Sequence, residues 1–382
     1  MRMDYDVVVA GLGIMGAAAT AELARRGLKV LGLDAVHPGH AQGSSHGDSR
    51  LIRLGYFEDP SYVPLLHRAY ENWRRLESEL DERLLFTTGV LHLGRHDGKV
   101  VQGTRKACVL HGLDHEELSA SDVRKRFPLF SLADDEIGLF EPQGGYLLPE
   151  AALAGYLRLA TRHGAALHYP EKVLSADADD QGVTVRTSAQ TWRARKIVIA
   201  TGSWISQLVP ALRAAANPIR QVVAWLRPEG RAREAAARMP VFLREDGGNG
   251  SYFGFPMIGP QGLKIGKHAH FRESLDPDQP NQGVSARDLA LLSGFAQRYL
   301  TLADTAPVEA TTCRYTLLPT ENFLLDLLPG RENVIVASPC SGHGFKFASV
   351  VGEILADLAQ HGATDLPIGL FSFDALHAPG QA

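Results

Sequence analysis

At 382 residues, 45% of them hydrophobic and 21% charged, the chain can build two domains with substantial cores and has the make-up of an ordinary soluble globular protein. A net charge of -4 with no long basic run argues against a nucleic-acid partner, and no stretch reaches the roughly 18 uninterrupted apolar residues of a membrane-spanning helix. Met1-Arg2-Met3-Asp4 runs straight into an apolar segment without signal-peptide features, and the three cysteines fit neither a disulfide framework nor a metal-ligand spacing, so the expectation is a cytoplasmic, metal-free protein in a reducing compartment.

Tyr5 to Ala10 is a short apolar run, followed at once by Gly11-Leu12-Gly13-Ile14-Met15-Gly16, an alanine-rich helical stretch from Ala17 to Arg26, and a second apolar run ending in Asp34. Strand, glycine turn, helix, strand and carboxylate form the unit that binds a dinucleotide. In it Gly11 makes the tight turn, Gly13 admits a pyrophosphate to the backbone, and Gly16 lets helix and strand pack closely. The helix N-terminus offers N–H groups to the pyrophosphate, and Asp34 can accept the hydroxyls of an adenosine ribose. The motif alone does not separate NAD from FAD.

Residues 38–53 are polar, rich in glycine and histidine, and lack apolar periodicity, so they read as a loop leaving the second strand near the cofactor crevice. His46, Arg50 and Arg53 are its chemically capable residues, although composition alone describes a solvated surface loop. Asp59-Pro60 starts a helix whose inner face carries Leu66, Tyr70, Trp73, Leu76 and Leu80. Residues 86–93 read as a strand, 112–127 as short helices, 137–140 as a strand, and 149–163 as an amphipathic helix ending at Gly164. Residues 172–187 and 191–199 form a β-meander whose last strand, apolar throughout and ending in Thr201-Gly202, is buried on both faces.

Partial alternation over 219–226, 251–255 and 262–267 marks a mostly β second domain, with 231–238 facing solvent. Ser285 and Asp288 open a helix to Leu300, with Leu289, Leu292 and Tyr299 on one side. The chain then returns through a buried strand at 333–338, a second glycine turn at Ser341-Gly342-His343-Gly344, and a helix from Phe345 to His361. The expected division assigns 1–85, 150–215 and 315–382 to the cofactor domain and 86–149 and 216–314 to the substrate domain.

Several segments, in order along nearly the whole chain, together resemble the monomeric sarcosine oxidase / N-methyltryptophan oxidase family of flavoprotein amine oxidases. They are GLGIMGAAA with Asp34, GSSHGDSRLIR (43–53), YFGFP (252–256), GLKIGKH (262–268), TCRYT (312–316) and SGHGFKFASVVGE (341–353). The resemblance implies an α/β (α+β) fold, a glutathione-reductase-type Rossmann FAD domain interleaved with a β-rich substrate domain, and FAD rather than NAD.

It also implies roles. Cys313 matches the cysteine that carries the flavin through a thioether, with Cys340 as a rival and Cys108 as a packing residue. Lys264 matches the lysine beside which reduced flavin meets O2. Arg53 and Lys346 match the pair that holds the substrate carboxylate. Arg50 and His46 match residues flanking the flavin and favouring its anionic reduced form, and His268 matches a pocket histidine. Ser44, Gly342, Gly344 and Lys346 fall among the cofactor-binding positions, the glycine turn aiming a helix N-terminus at the flavin.

Two departures bear on the substrate. Ser45 stands where the family often has a histidine, and Phe253, a substrate-side residue, stands where it often has a tyrosine. The reaction implied is oxidation of a secondary (N-methyl) amino acid by a monomeric enzyme, with O2 as acceptor, to an imine that hydrolyses, and H2O2. The alternatives are an oxidase or dehydrogenase of cyclic imino acids such as pipecolate or proline, and a flavin-bearing binding protein without turnover.

Overall fold

The strand Tyr5–Ala10 lies inside an eight-stranded sheet, with Val30–Leu33 parallel on one side and Thr191–Ile199 parallel on the other. This computed structural model describes residues 3–280 and 282–377. Val7 to Ala10 are buried without alternation because both faces are packed, Val7 and Val9 in the core shared with the long helices and Val8 and Ala10 in a second core with Ile205, Val209 and Leu212, as an internal parallel strand requires. The far edge of Thr191–Ile199 is shared. Its first half pairs antiparallel with Gly182–Thr187, and Ile197 to Ile199 pair parallel with Arg331–Ala337. Val173–Asp179 completes the expected meander, and Ala166–His168 extends the opposite edge.

The helices Ile14–Arg25, Val63–Leu80, Pro149–Arg162 and Ala348–His361 share one core against this sheet. Gly352 lets its helix lie directly on Ile14–Arg25: a Cβ there would lie 2.8 Å from the Ala18 backbone. Gly164 follows the Pro149–Arg162 helix with φ +89°, a conformation that closes a helix C-terminus.

A second eight-stranded sheet runs in the order Glu309–Leu317, Asn217–Leu226, Leu263–Lys267, Ser251–Phe255, Val241–Glu245, Val90–Arg95, Glu136–Glu141, Glu116–Ser119. The helix Ala286–Tyr299 packs on it through Leu292, Phe295 and Ala296, with Leu289 and Tyr299 only half-buried, and Ser285 and Asp288 form the anticipated capping box. A three-stranded sheet of Arg50–Ile52, Gly145–Leu147 and Leu85–Thr87 is formed by segments that enter and leave the second sheet.

Residues 99–111, to which the sequence reading assigned no element, form a helix that buries Val100, Val101, Thr104, Ala107 and Cys108. The structure departs from the sequence expectations in three places. The single strand expected at 86–93 is two, Leu85–Thr87 in the three-stranded sheet and Val90–Arg95 in the second sheet, separated at Gly89 with its φ of +75°. Within 112–127, Glu116–Ser119 is an exposed polar edge strand and only Ala120–Arg126 is helical. Arg50–Ile52 is a strand rather than loop. Among the described residues no helix is long and apolar enough to cross a membrane.

Candidate active site

A cavity of about 470 Å³ runs from the first glycine turn to the second sheet. At one end the three glycines have distinct steric tasks. Gly11 has φ +92°, and a Cβ on it would lie 2.6 Å from the Ala200 carbonyl oxygen. A Cβ on Gly16 would sit 1.8 Å from the Gly11 oxygen, whereas one on Gly13 would meet only Ser45 Oγ at 3.6 Å and otherwise fill cavity space. The helix Ile14–Arg25 begins at Gly13 with no side-chain cap bond and no acid in its first turn. Asp34 is held beside this turn, Oδ2 accepting from the Leu12 N–H at 2.6 Å and Oδ1 from the Val36 N–H at 3.2 Å.

Residues 38–53 form one wall of the cavity, and many internal bonds make the segment a built element rather than a solvated loop. Ser44 Oγ donates to the Arg314 carbonyl at 2.7 Å, and Ser45 Oγ accepts from the Ile14 N–H at 3.1 Å. Ser45, absent from the expected cofactor residues, is therefore nearer the helix N-terminus than Ser44. Glu150 Oε1 accepts from the Gly47 N–H at 2.6 Å and the Asp48 N–H at 3.3 Å. The Arg50 guanidinium donates to the carbonyls of Ser44 and Ser49, each at 2.8 Å, and of His46.

Lys264, on the strand Leu263–Lys267, is only 3% exposed. Its Nζ donates to the carbonyls of Gly47 and, at 3.0 Å, Ser49, and to Ser49 Oγ at 3.2 Å, and lies 4.9 Å from the centre of the Phe255 ring. Burial, helped by the neighbouring Arg50 charge, pushes its ammonium down to about 7. Cys313 is buried in the adjoining wall. Burial raises its thiol, while Arg50 and Lys264 pull in the opposite direction. Cys340 also lines the cavity, its thiol pushed by burial up to about 11; Cys108 lies away from the cavity in the main helical core.

His46 lines the same wall. Burial, then the Arg50 charge, pushes its imidazole down to about 4, so Arg50 and Lys264 are left as the cations of this wall.

The other end of the cavity holds Arg53, Lys346, His268, His343 and Phe253. Arg53, 2% exposed, is already engaged: Nη1 donates to the Gly55 carbonyl at 2.6 Å and Nη2 to both oxygens of Glu58 at 2.7 and 2.5 Å. Burial opposes ionisation of Glu58, but Arg53 and then His343 and Lys346 outweigh it and hold the carboxyl at about 2. The fork expected to meet a substrate carboxylate is thus bound to an internal one.

Lys346 Nζ donates to the His343 carbonyl at 2.6 Å, and burial, then Arg53, pushes it down to about 7. His343 Nε2 lies 2.9 Å from the Glu321 carbonyl oxygen and Nδ1 2.5 Å from Tyr56 Oη. A carbonyl only accepts, so the proton is on Nε2 and Tyr56 donates to Nδ1. The His268 ring packs against Tyr315 at 5.5 Å, beneath the turn where Gly342 has φ +80°. A Cβ on Gly342 would press on both rings, at 2.4 Å from Tyr315 and 2.7 Å from His268. Phe253 stands edge-on to Phe255 at 6.1 Å. Gly344 starts the short 3-10 turn that leads into Ala348–His361; a Cβ there would collide with the Pro339 carbonyl oxygen at 1.6 Å.

The cavity therefore gathers every residue given a site role from the sequence except Gly16, which packs behind the glycine turn; Cys108, expected as a packing residue, lies in the core. It also exposes Glu58, Gln221 and Thr201, which sequence reasoning missed or noted only as a strand end. Glu58 had no sequence signal: beside Asp59 and Pro60 it reads as an ordinary acid before a helix start. The walls suit a flavin dinucleotide. Gly13 leaves room at a helix start where Ser45 Oγ takes only the Ile14 N–H, and buried His46 Nε2, Thr201 Oγ1 and Gln221 Oε1 have no hydrogen-bond partner among the described residues. Gly11, Gly13 and Asp34 would hold its dinucleotide part, and the segment 44–50 with Gly342 and Gly344 its ring. No group of three or more His, Cys, Asp or Glu among the described residues could hold a metal ion.

Comparison with known proteins agrees with this cavity. Residues 6–358 match the family described as FAD dependent oxidoreductase. The chain is 39% identical over 377 residues to a monomeric sarcosine oxidase from Streptomyces avermitilis, covering 97% of each chain. It is 38% identical over 362 residues to an N-methyl-L-tryptophan oxidase from Salmonella dublin, covering 94% of this chain and 95% of the relative. Among solved structures, NikD, described as an unusual amino acid oxidase essential for nikkomycin biosynthesis, superposes with a TM-score of 0.83 at 29% identity, covering 97% of this chain and 98% of that one. An L-proline dehydrogenase from P. horikoshii shares the fold with a TM-score of 0.81 at 20% identity, covering 97% of each chain. A chain so matched, with a glycine turn, acid and cationic cavity that fit the cofactor, belongs to the FAD-dependent oxidoreductase family that includes monomeric sarcosine oxidase and N-methyl-L-tryptophan oxidase.

Proposed function

We propose that the protein oxidises a secondary, N-methyl amino acid of the sarcosine or N-methyltryptophan type to an imine, which hydrolyses to the amino acid and an aldehyde, with O2 reduced to H2O2. The observation that carries this reading is that one cavity is lined by two groups of cations, half-buried Arg50 with buried Lys264 on the wall that holds Cys313, and buried Arg53 with Lys346 at the end away from the glycine turn. Bound FAD, tethered through Cys313, supplies the two-electron chemistry that protein side chains lack.

The chain's own residues do the rest. Arg53 and Lys346 take the substrate carboxylate, a planar fork and a point charge suited to it. The cations lining the pocket disfavour a further positive charge, so the amine binds in the neutral form whose lone pair can assist C–H cleavage. Phe253, with Leu51 and Leu243, gives the pocket an apolar wall that receives the substrate side chain. Arg50 favours negative charge on the reduced cofactor, and Lys264 stabilises the charge that develops on O2. Supporting a monomeric form is the relative named as monomeric. We assign the protein to the cytoplasm, and residues 1–85, 150–215 and 315–382 to cofactor binding, with 86–149 and 216–314 on the substrate side.

If Arg53 receives the substrate, Glu58 is its competitor. Glu58→Gln should weaken that competition and lower the half-saturating concentration of an N-methyl amino acid about fivefold, roughly 1 kcal/mol. It should also lower the melting temperature, because Arg53 and Lys346 lose their buried counter-charge. Unchanged half-saturation would show that Arg53 does not meet the substrate.

The phenylalanine at 253 also admits cyclic imino acids, the second reading. Sarcosine, N-methyl-L-tryptophan, L-proline and L-pipecolate, assayed with peroxide detection, separate the two. Turnover of an N-methyl amino acid supports the first, a preference for the ring compounds the second, and no peroxide from any member together with no anaerobic bleaching of the flavin rejects both.

A further inference from the structure

Glu141 ends the strand Glu136–Glu141 of the second sheet and is 1% exposed. Its carboxylate is turned to the backbone of a different segment, Oε1 accepting from the Leu54 N–H at 2.5 Å and Oε2 from the Gly55 N–H at 3.1 Å. Among the described residues only His92 lies within ion-pair distance, its Nε2 3.6 Å from Oε2. Burial lowers that imidazole, which also lies 3.2 Å from Thr104 Oγ1 through Nδ1. A carboxylate buried against two amides and a histidine held below its ordinary range is a costly arrangement for a fold to keep.

What it holds is next to Arg53. Gly55, whose N–H bonds Glu141, offers its carbonyl to Arg53 Nη1 at 2.6 Å, while Nη2 bonds Glu58. Gly55 is wedged in place: a Cβ on it would lie 2.8 Å from Thr104 Cγ2 and 3.1 Å from both Cys108 Sγ and Glu141 Oε2. Arg53 thus has one arm on a fixed anchor and the other on an exchangeable side chain. Glu141 secures the anchor from the opposite sheet.

We propose that Glu141 is a positioning residue for Arg53, fixing the Leu54–Gly55 turn so that the guanidinium keeps its aim when Glu58 is displaced by a substrate carboxylate. The proposal rests on the reading of Arg53 as the carboxylate's partner. Glutamine at 141 can accept one amide but turns its own N–H toward the other.

The test is anaerobic stopped-flow reduction of the holoenzyme by the best substrate of the panel, for wild type, Glu141→Gln, Arg53→Ala and the double variant. Glu141→Gln should raise the half-saturating concentration about tenfold, the size of coupling found within one hydrogen-bond network. The reoxidation rate by O2 should stay within about twofold, and in the Arg53→Ala background the same substitution should change half-saturation by less than about twofold. Gly55→Ala, whose Cβ would press on Thr104, Cys108 and Glu141 Oε2 and so displace the same amide, should give the same split and serves if Glu141→Gln does not fold. Equal factors in both backgrounds, or equal losses in both half-reactions, would overturn the proposal by showing a merely structural role. If Arg53→Ala alone leaves half-saturation unchanged, the carboxylate reading itself fails, and the positioning role with it.

Discussion

Replacing Lys264 by methionine is expected to slow reoxidation of the reduced enzyme by about three decades while leaving reduction by substrate within about one. The estimate follows from charge alone. A unit positive charge about 4 Å from a developing negative one, at an effective dielectric near 20, is worth roughly 4 kcal/mol, and each ~1.4 kcal/mol is a decade in rate. Methionine keeps the length and apolar stem but not the charge. The geometry favours a large effect because Nζ is fixed in advance by the Gly47 and Ser49 carbonyls, so little reorganisation is required when O2 accepts electrons.

The pH dependence has a definite sign. With its ammonium lowered to about 7, Lys264 is protonated below that pH and loses its charge above it. Negative charge on a reduced cofactor nearby raises that value. The reoxidation rate should therefore be highest at low pH and fall as pH rises through 7 or somewhat above, and the fall should vanish in Lys264→Met. Stopped-flow mixing of reduced enzyme with oxygenated buffer over a pH series measures both effects. An oxidative half-reaction unchanged by the substitution rejects the role.

The second expectation is all-or-none. Acid precipitation of wild-type protein should leave the yellow colour in the pellet, whereas Cys313→Ala should release it to the supernatant and Cys340→Ala should behave as wild type. The chemical reason lies in thiolate character, since the thiolate is the nucleophile. Burial raises both thiols, but Arg50 and Lys264 act to lower only that of Cys313, whereas Cys340 has no cation acting on it and is opposed only by the nearby Ser338 hydroxyl. Colour released equally from wild type and Cys313→Ala would show that the cofactor is not linked there. Colour lost from the pellet only in Cys340→Ala would move the linkage to the second glycine turn.

How much of this was readable in advance depended on the kind of signal. The first unit was legible because three glycines at set spacing and an acid at the end of the second strand each answer a steric or electrostatic need, and Gly11, Gly13 and Gly16 meet distinct surroundings in the fold. The helix Lys99–His111 was legible in principle, since Val100, Thr104, Ala107 and Cys108 recur at helical spacing, but lysines and arginines dilute the stripe. The strand Glu116–Ser119 was not, because an exposed edge strand need not alternate.

In the site, residue type pointed to the cations. Their partners were hidden. Glu141 and Glu150 bond backbone amides 87 and 103 positions away, and periodicity carries no information about such contacts. Nor could the sequence show that Arg53 is already paired with Glu58, or that Arg50 and burial together leave His46 neutral. The sequence thus revealed which chemical groups are present. The fold decides which of them carry charge and which are free to meet a ligand.

The central claim is that this cavity passes electrons from a carboxylate-bearing secondary amine to a bound flavin and then to O2. Anaerobic titration of the purified holoprotein with sarcosine and with N-methyl-L-tryptophan, followed by admission of air, tests it most directly. The account predicts that one of them bleaches the visible flavin absorbance completely and that air restores it with formation of H2O2. Absorbance that neither compound changes, in protein carrying a full complement of flavin, would contradict it.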